Sequence, residues 1–234
     1  MADGRIEALR GWIRRGLKAP HESVRLGVLL ALVGGFLDAY TFLGWDGVFA
    51  NAQTGNLVLI GIAASLGDFR QMGTYLPPIL AFVAGVFVVE AAKSSSLSAR
   101  LDWGRFALTL EILTLTVVGF APRGTPPLFV NAAVSFVASV QVCAFRRLVD
   151  APYSTTMMTG NLRSASQALW VALARRDPGE REKVGRYLTV IGFFTLGALI
   201  GGVLTSLGGT RSVWGAAGLL AAALSLYVRE GAPD

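Results

Sequence analysis

The chain has 234 residues, of which 53% are hydrophobic and 28 more are glycine, while only 15% are charged. A soluble domain carries about 25% charged residues. With a mean hydropathy of +0.55 the chain therefore reads as a multi-pass membrane protein, and the composition excludes disordered, collagen-like and disulfide-scaffold classes. One cysteine (Cys143) cannot close an internal disulfide, and one histidine (His21) cannot anchor the usual His/Cys metal site. No P-loop, H-E-x-x-H, G-x-S-x-G or dinucleotide fingerprint occurs, so neither a cofactor nor an enzymatic activity is expected.

The net charge of +6 does not point to nucleic acid. Arg5, Arg10, Arg14, Arg15, Lys18 and Arg25 crowd the first 25 residues, ahead of an apolar run, which is how a topology signal looks. Within 1–25, Ile6, Leu9, Ile13 and Leu17 recur at helical spacing among these cations. The segment reads as an amphipathic helix on the anionic cytoplasmic leaflet. At Leu26 the run LGVLLALVGGFLDAYTFLGW begins. A 25-residue basic stretch is too long for a signal-peptide n-region, although Ala50-Asn51-Ala52 resembles a cleavage site. Further runs occupy about 75–92, 106–121, 128–145, 187–207 and 212–228, each near the ~20 residues a membrane helix requires. The expected fold is an all-α membrane bundle, since lipid cannot satisfy open backbone groups.

Two segments, 47–66 and 154–173, are less apolar and share a motif. Thr54-Gly55-Asn56-Leu57 matches Thr159-Gly160-Asn161-Leu162 at an offset of 105 residues. An offset of 112 then pairs Tyr75 with Tyr187, Phe82 with Phe194 and Gly85 with Gly197. The chain thus divides into a segment 1–25, a membrane repeat 26–121 and a second repeat 128–228. If each TGN segment is a re-entrant half-helix, the repeats have 3+3 spans and are inverted. If each crosses fully, the arrangement is 4+4 and parallel. Six crossings collect more Lys and Arg on the cytoplasmic side than eight do, with the N-terminus inside, so the positive-inside rule favours the inverted form.

GGFLDAYTFL, NAQTGN, SFVASVQVCAFRRL and PYSTTMMTGNLRS resemble the YoaK-like family of bacterial multi-pass membrane proteins, over about residues 25–228. The resemblance implies a bacterial inner-membrane location and supplies neither substrate nor mechanism.

A helix starting at Thr-Gly-Asn presents free N–H groups and the positive end of its dipole. Two such ends meeting near the midplane would suit a small polar or anionic solute, as in broken-helix transporters. The candidate solute-binding residues are Thr54, Gly55, Asn56, Thr159, Gly160 and Asn161, with Asn51 and Gln53 preceding the first motif. Capping and packing alone would also account for Thr and Asn. Asp38, inside the first span, is a functional candidate by its depth: it could exchange a proton, bind a cation or pair with Arg163. Arg163 has Val58 as its repeat counterpart, so it serves one half only, holding an anion or neutralising Asp38. Glu111 is the other intramembrane acid, and Glu90 is expected to reach toward Lys93. Asn131, Gln141 and Gln167 read as interhelical hydrogen bonds or path-lining groups. Gly27, Ala31 and Gly35, and Gly197 with Gly201, form small-residue faces for tight packing or a homo-oligomer. The expected partners are the bilayer and a small solute, with a membrane scaffold as the competing function.

Overall fold

The computed structural model describes residues 24–95, 101–122, 124–145, 147–148, 151–152 and 156–230. The expected amphipathic helix in 1–25 lies almost wholly outside them. The chain forms α1 (Val24–Gly44), α2 (Gln53–Ser65), α3 (Phe69–Lys93), α4 (Trp103–Gly119) and α5 (Pro127–Ala144). After a two-residue antiparallel bridge (Arg147–Leu148 with Ala151–Pro152) come α6 (Met158–Arg175), α7 (Pro178–Gly208), a 3₁₀ turn and α8 (Val213–Glu230). All six long apolar runs are helical. Val24–Gly44, Phe69–Lys93, Pro127–Ala144 and the segment Pro178–Glu230 are long and apolar enough to cross a membrane. α4 has 17 residues. The helix α2 has 13, roughly 20 Å at ~1.5 Å per residue, against a hydrocarbon core of about 30 Å.

α1 is the central helix, burying 13 of its 21 residues. Its most extensive contact is with α7, and the next most extensive in the bundle joins α3 to α5. α4 packs on α5 and α8, α2 on α3, and α6 on α7. The small-residue faces explain the first two contacts. A Cβ added to Gly197 would lie 1.9 Å from the Leu32 carbonyl oxygen, and one on Gly35 1.9 Å from that of Phe194. One on Gly201 would lie 2.6 Å from the Phe36 carbonyl oxygen. From Leu32 beside Gly197, through Phe36 beside Gly201, to Gly44 beside Thr205 the residue numbers rise together, so α1 and α7 run in the same direction. At the α3–α5 crossing, Gly85 meets Phe136 and Ser139 in the same way. The glycine faces are therefore used up inside one chain.

Side-chain bonds identify what lies at each end of the bundle. At one end, Tyr40 Oη donates to the Thr210 carbonyl (3.0 Å), and Asn131 Nδ2 to that of Trp45 (2.9 Å). Trp214 Nε1 donates to the Thr116 carbonyl there (3.2 Å). Val48, Ala63 and Tyr75 form one apolar cluster, which brings the α2–α3 turn beside the chain leaving α1. At the other end, Lys93 Nζ donates to the Cys143 carbonyl (3.1 Å) and lies 5.8 Å from the Trp103 ring. Tyr227 Oη donates to Asp102 Oδ1 there (2.7 Å). Large apolar side chains such as Leu66, Phe87, Phe120, Trp170 and Leu207 face outward, while Asp38, Asn56, Glu111, Asn131 and Gln141 are buried. A surface of this kind matches lipid.

Candidate functional site

The chain leaving α1 turns back along it. Thr41 Oγ1 accepts from the Ala50 N–H (3.1 Å), Asp38 Oδ1 accepts from the Asn51 N–H (2.8 Å), and Asn51 Nδ2 donates to the Gly34 carbonyl (3.1 Å). Residues 34–38 precede the end of α1 by roughly 9–15 Å at ~1.5 Å per residue, so α2 starts that far inside the bundle. Its first turn has no side-chain cap. Asn56 points back instead: Oδ1 accepts from the Phe49 N–H (3.0 Å), while Nδ2 donates to the Phe49 carbonyl (2.7 Å) and to Gln53 Oε1 (2.9 Å). Gln53 Nε2 donates to the Ala50 carbonyl (2.8 Å). This amide cluster fixes residues 49–52 where no strand or helix does, and the Phe49 ring is further held by stacking on Phe42 at 4.7 Å.

Between the starts of α2 and α6 lies a cavity of about 500 Å³. It is lined by Asp38 of α1, by Asn51 to Thr54 of the first TGN segment and by Thr156 to Gly160 of the second. Phe49, Phe82 of α3 and Phe194 of α7 complete the wall. Of the sequence candidates, Asp38, Asn51, Gln53, Thr54, Thr159 and Gly160 therefore share one space. Gly55, Asn56, Asn161 and Arg163 do not line it. Gly55 is packed, since an added Cβ would lie 2.8 Å from the Phe49 ring, whereas nothing lies within 4 Å of one on Gly160. Neither glycine has a positive φ. Asn161 is buried with Nδ2 3.7 Å from Met158 Sδ.

Arg163 corrects the sequence expectation. Its side chain is exposed, and among the described residues no ion pair joins it to Asp38. A long cation on the outer face of α6 is rotated away from the cavity by the helix that carries it. Glu111 is remote from the cavity wall and accepts from Gln141 Nε2 at 2.8 Å, a link from α4 to α5. Lys93 Nζ lies 3.4 Å from Glu90 Oε1, as expected. Among the described residues, no three His, Cys, Asp or Glu side chains gather as a metal site.

Sequence reasoning did not single out the aromatic and thioether lining. A signal for part of it existed, because the sequence offset of 112 pairs Phe82 with Phe194. Phe49, Met157 and Met158 carried none, being ordinary apolar residues until the fold brings them to the cavity wall.

The profile of a family described as "Protein of unknown function (DUF1275)" matches residues 26–226. The UPF0700 transmembrane protein YoaK of Bacillus subtilis (strain 168) is 28% identical over 184 residues, covering 74% of this chain and 79% of that protein. No solved structure matches significantly. The chain belongs to the DUF1275 family of membrane proteins, in agreement with the resemblance read from its motifs.

Proposed function

We propose that this DUF1275 member is a small-solute transporter or channel of the bacterial inner membrane, with its site between the two Thr-Gly-Asn turns. The observation that carries the reading is the cavity of about 500 Å³ bounded by both turns, a size usual for small-ligand sites. A scaffold has no need for two helix starts and a buried carboxylate around one space. Its expected docking faces, the glycine stripes, are filled by α1 against α7 and α3 against α5.

In this reading the halves are inverted repeats. The packing supports it: the α1–α7 contact has its counterpart in α5–α3, α4–α5 in α8–α1, and α2–α3 in α6–α7. Each TGN helix would start about half-way through the ~30 Å core and leave by the face at which the preceding span ended. α2 would exit beside the end of α1, and α6 would exit at the opposite face. That gives six crossings, with residues 1–25 cytoplasmic and the α2–α3 turn outside. It is the broken-helix plan of alternating-access transporters.

Flux in liposomes reconstituted with wild type and with Thr54→Val/Thr159→Val tests the function. These hydroxyls line the cavity without holding the fold, unlike Asn56. Uptake by wild type and a loss of at least tenfold in the variant are expected. No flux across a broad solute panel by folded protein would favour a scaffold.

A further inference from the structure

The cavity walls also determine the sign of the charge they can accommodate. We propose that the space between the two TGN turns takes a monovalent organic cation, an amine or quaternary ammonium with a compact apolar body. Asp38 supplies the counter-charge, and Phe49, Phe82 and Phe194 surround the body. This inference rests on the proposed solute site and replaces the polar or anionic solute expected from the motif alone.

Three observations carry it. Among the described residues, Asp38 is the one formally charged residue in the lining and no cation pairs with it; it is 5% exposed. The expected source of positive charge, Arg163, is exposed and absent from the wall. Finally, three phenylalanine rings and two methionines are among the other lining residues. Ring faces attract cations and are indifferent or adverse to anions.

The opposing effect is the pair of helix starts, each worth about half a positive charge that fades within a turn. The first is already answered within the chain. Asp38 takes the Asn51 N–H, the Asn51 carbonyl takes that of Gln53, and the Ala52 carbonyl those of Gly55 and Asn56. The two ends together offset at most about one unit charge, that of the carboxylate, so the ring faces and the lack of a cationic side chain in the described lining tip the preference to a cation. A bare inorganic cation is disfavoured, because it needs a shell of oxygens, and here the Asn51 and Gln53 amides are engaged with the chain while three rings and two thioethers share the wall. A volume near 500 Å³ accommodates a one-ring amine.

The test uses the full chain purified in detergent, with benzyltrimethylammonium, benzyl alcohol and benzenesulfonate as probes of like size and different charge. Calorimetry should find saturable binding of benzyltrimethylammonium at least tenfold tighter than either other probe. Binding should fall at least tenfold in Asp38→Asn and in Phe82→Leu/Phe194→Leu, and be unchanged in Asp102→Asn. Asp38→Asn keeps an oxygen for the Asn51 N–H; if it still fails to fold, the rank order of the three probes on wild type decides. Benzenesulfonate binding more tightly, or cation binding untouched by folded Asp38→Asn, overturns the proposal. Liposome uptake separates the two ideas. Cation binding without uptake sustains the cation site and overturns transport. Uptake of benzenesulfonate with no cation binding sustains transport and overturns the cation site.

Discussion

Asn56 spends its whole amide on its own chain, pairing with both polar groups of the Phe49 peptide and with Gln53. Asn56 is fully buried and its partners are half-buried, and a buried polar group left unpaired costs about 1–3 kcal/mol. Asn56→Ala should therefore lower stability by about 2–4 kcal/mol, read as a drop in the thermal midpoint in detergent, and it should impair flux through misplacement of residues 49–53. Asp102 makes a different prediction at the bundle end. Burial, the largest single influence, pushes its carboxyl up. The Arg105 N–H, the Tyr227 hydroxyl and the Arg105 guanidinium together outweigh it and hold the carboxyl below its usual range. A group depressed on folding stabilises above its unfolded pKa of about 3.9. That contribution is lost as the pH falls from there through the lower folded value. Thermal midpoints should drop on acidification in this window, and Asp102→Asn should drop less from its own starting value.

At the scale of elements, the crossing of α1 and α7 depends on glycine because backbone meets backbone. Gly197 faces the Leu32 carbonyl oxygen so closely that any Cβ forces the helices apart. Gly197→Ala should cost about 1–3 kcal/mol, the usual range for overpacking, and Gly197→Leu should abolish folded protein in size-exclusion profiles. Gly160→Ala is the matched control. Nothing lies within 4 Å of its added Cβ, and alanine favours a helix by ~0.5–1 kcal/mol, so stability should be unchanged or slightly raised. The same contrast shows why one motif has two environments: Gly55 is packed under Phe49, while Gly160 opens on the cavity.

For the whole molecule, the arrangement of ends makes a prediction about sidedness. If α2 re-enters, position 71 is outside and position 97 inside; if it crosses fully, both reverse. Single cysteines at Gln71 and Leu97, in a chain carrying Cys143→Ala, should react with an impermeant maleimide on intact cells at 71 only. Labelling at 97 only would overturn the inverted arrangement and with it the meeting of two helix starts from opposite faces. The cavity's existence would survive that result, but its access from the two sides would need a different explanation.

The six long apolar helices, the low charge and the paired TGN segments were all legible in the sequence, because hydropathy and repetition are properties of the chain taken one residue after another. Asp38 was legible for the same reason, as an acid within an apolar run. How each helix is rotated about its axis was not, since that depends on which small residues meet across α1–α7 and α3–α5. That rotation turns Asn56 toward the Phe49 peptide, carries Arg163 away from the cavity and brings Phe82 and Phe194 to its wall. Composition determined that the chain lives in a membrane; tertiary packing decided which of its few polar groups face one another, and set the Asp38 carboxylate, bonded to the Asn51 N–H, in a cavity wall shared with three phenylalanines.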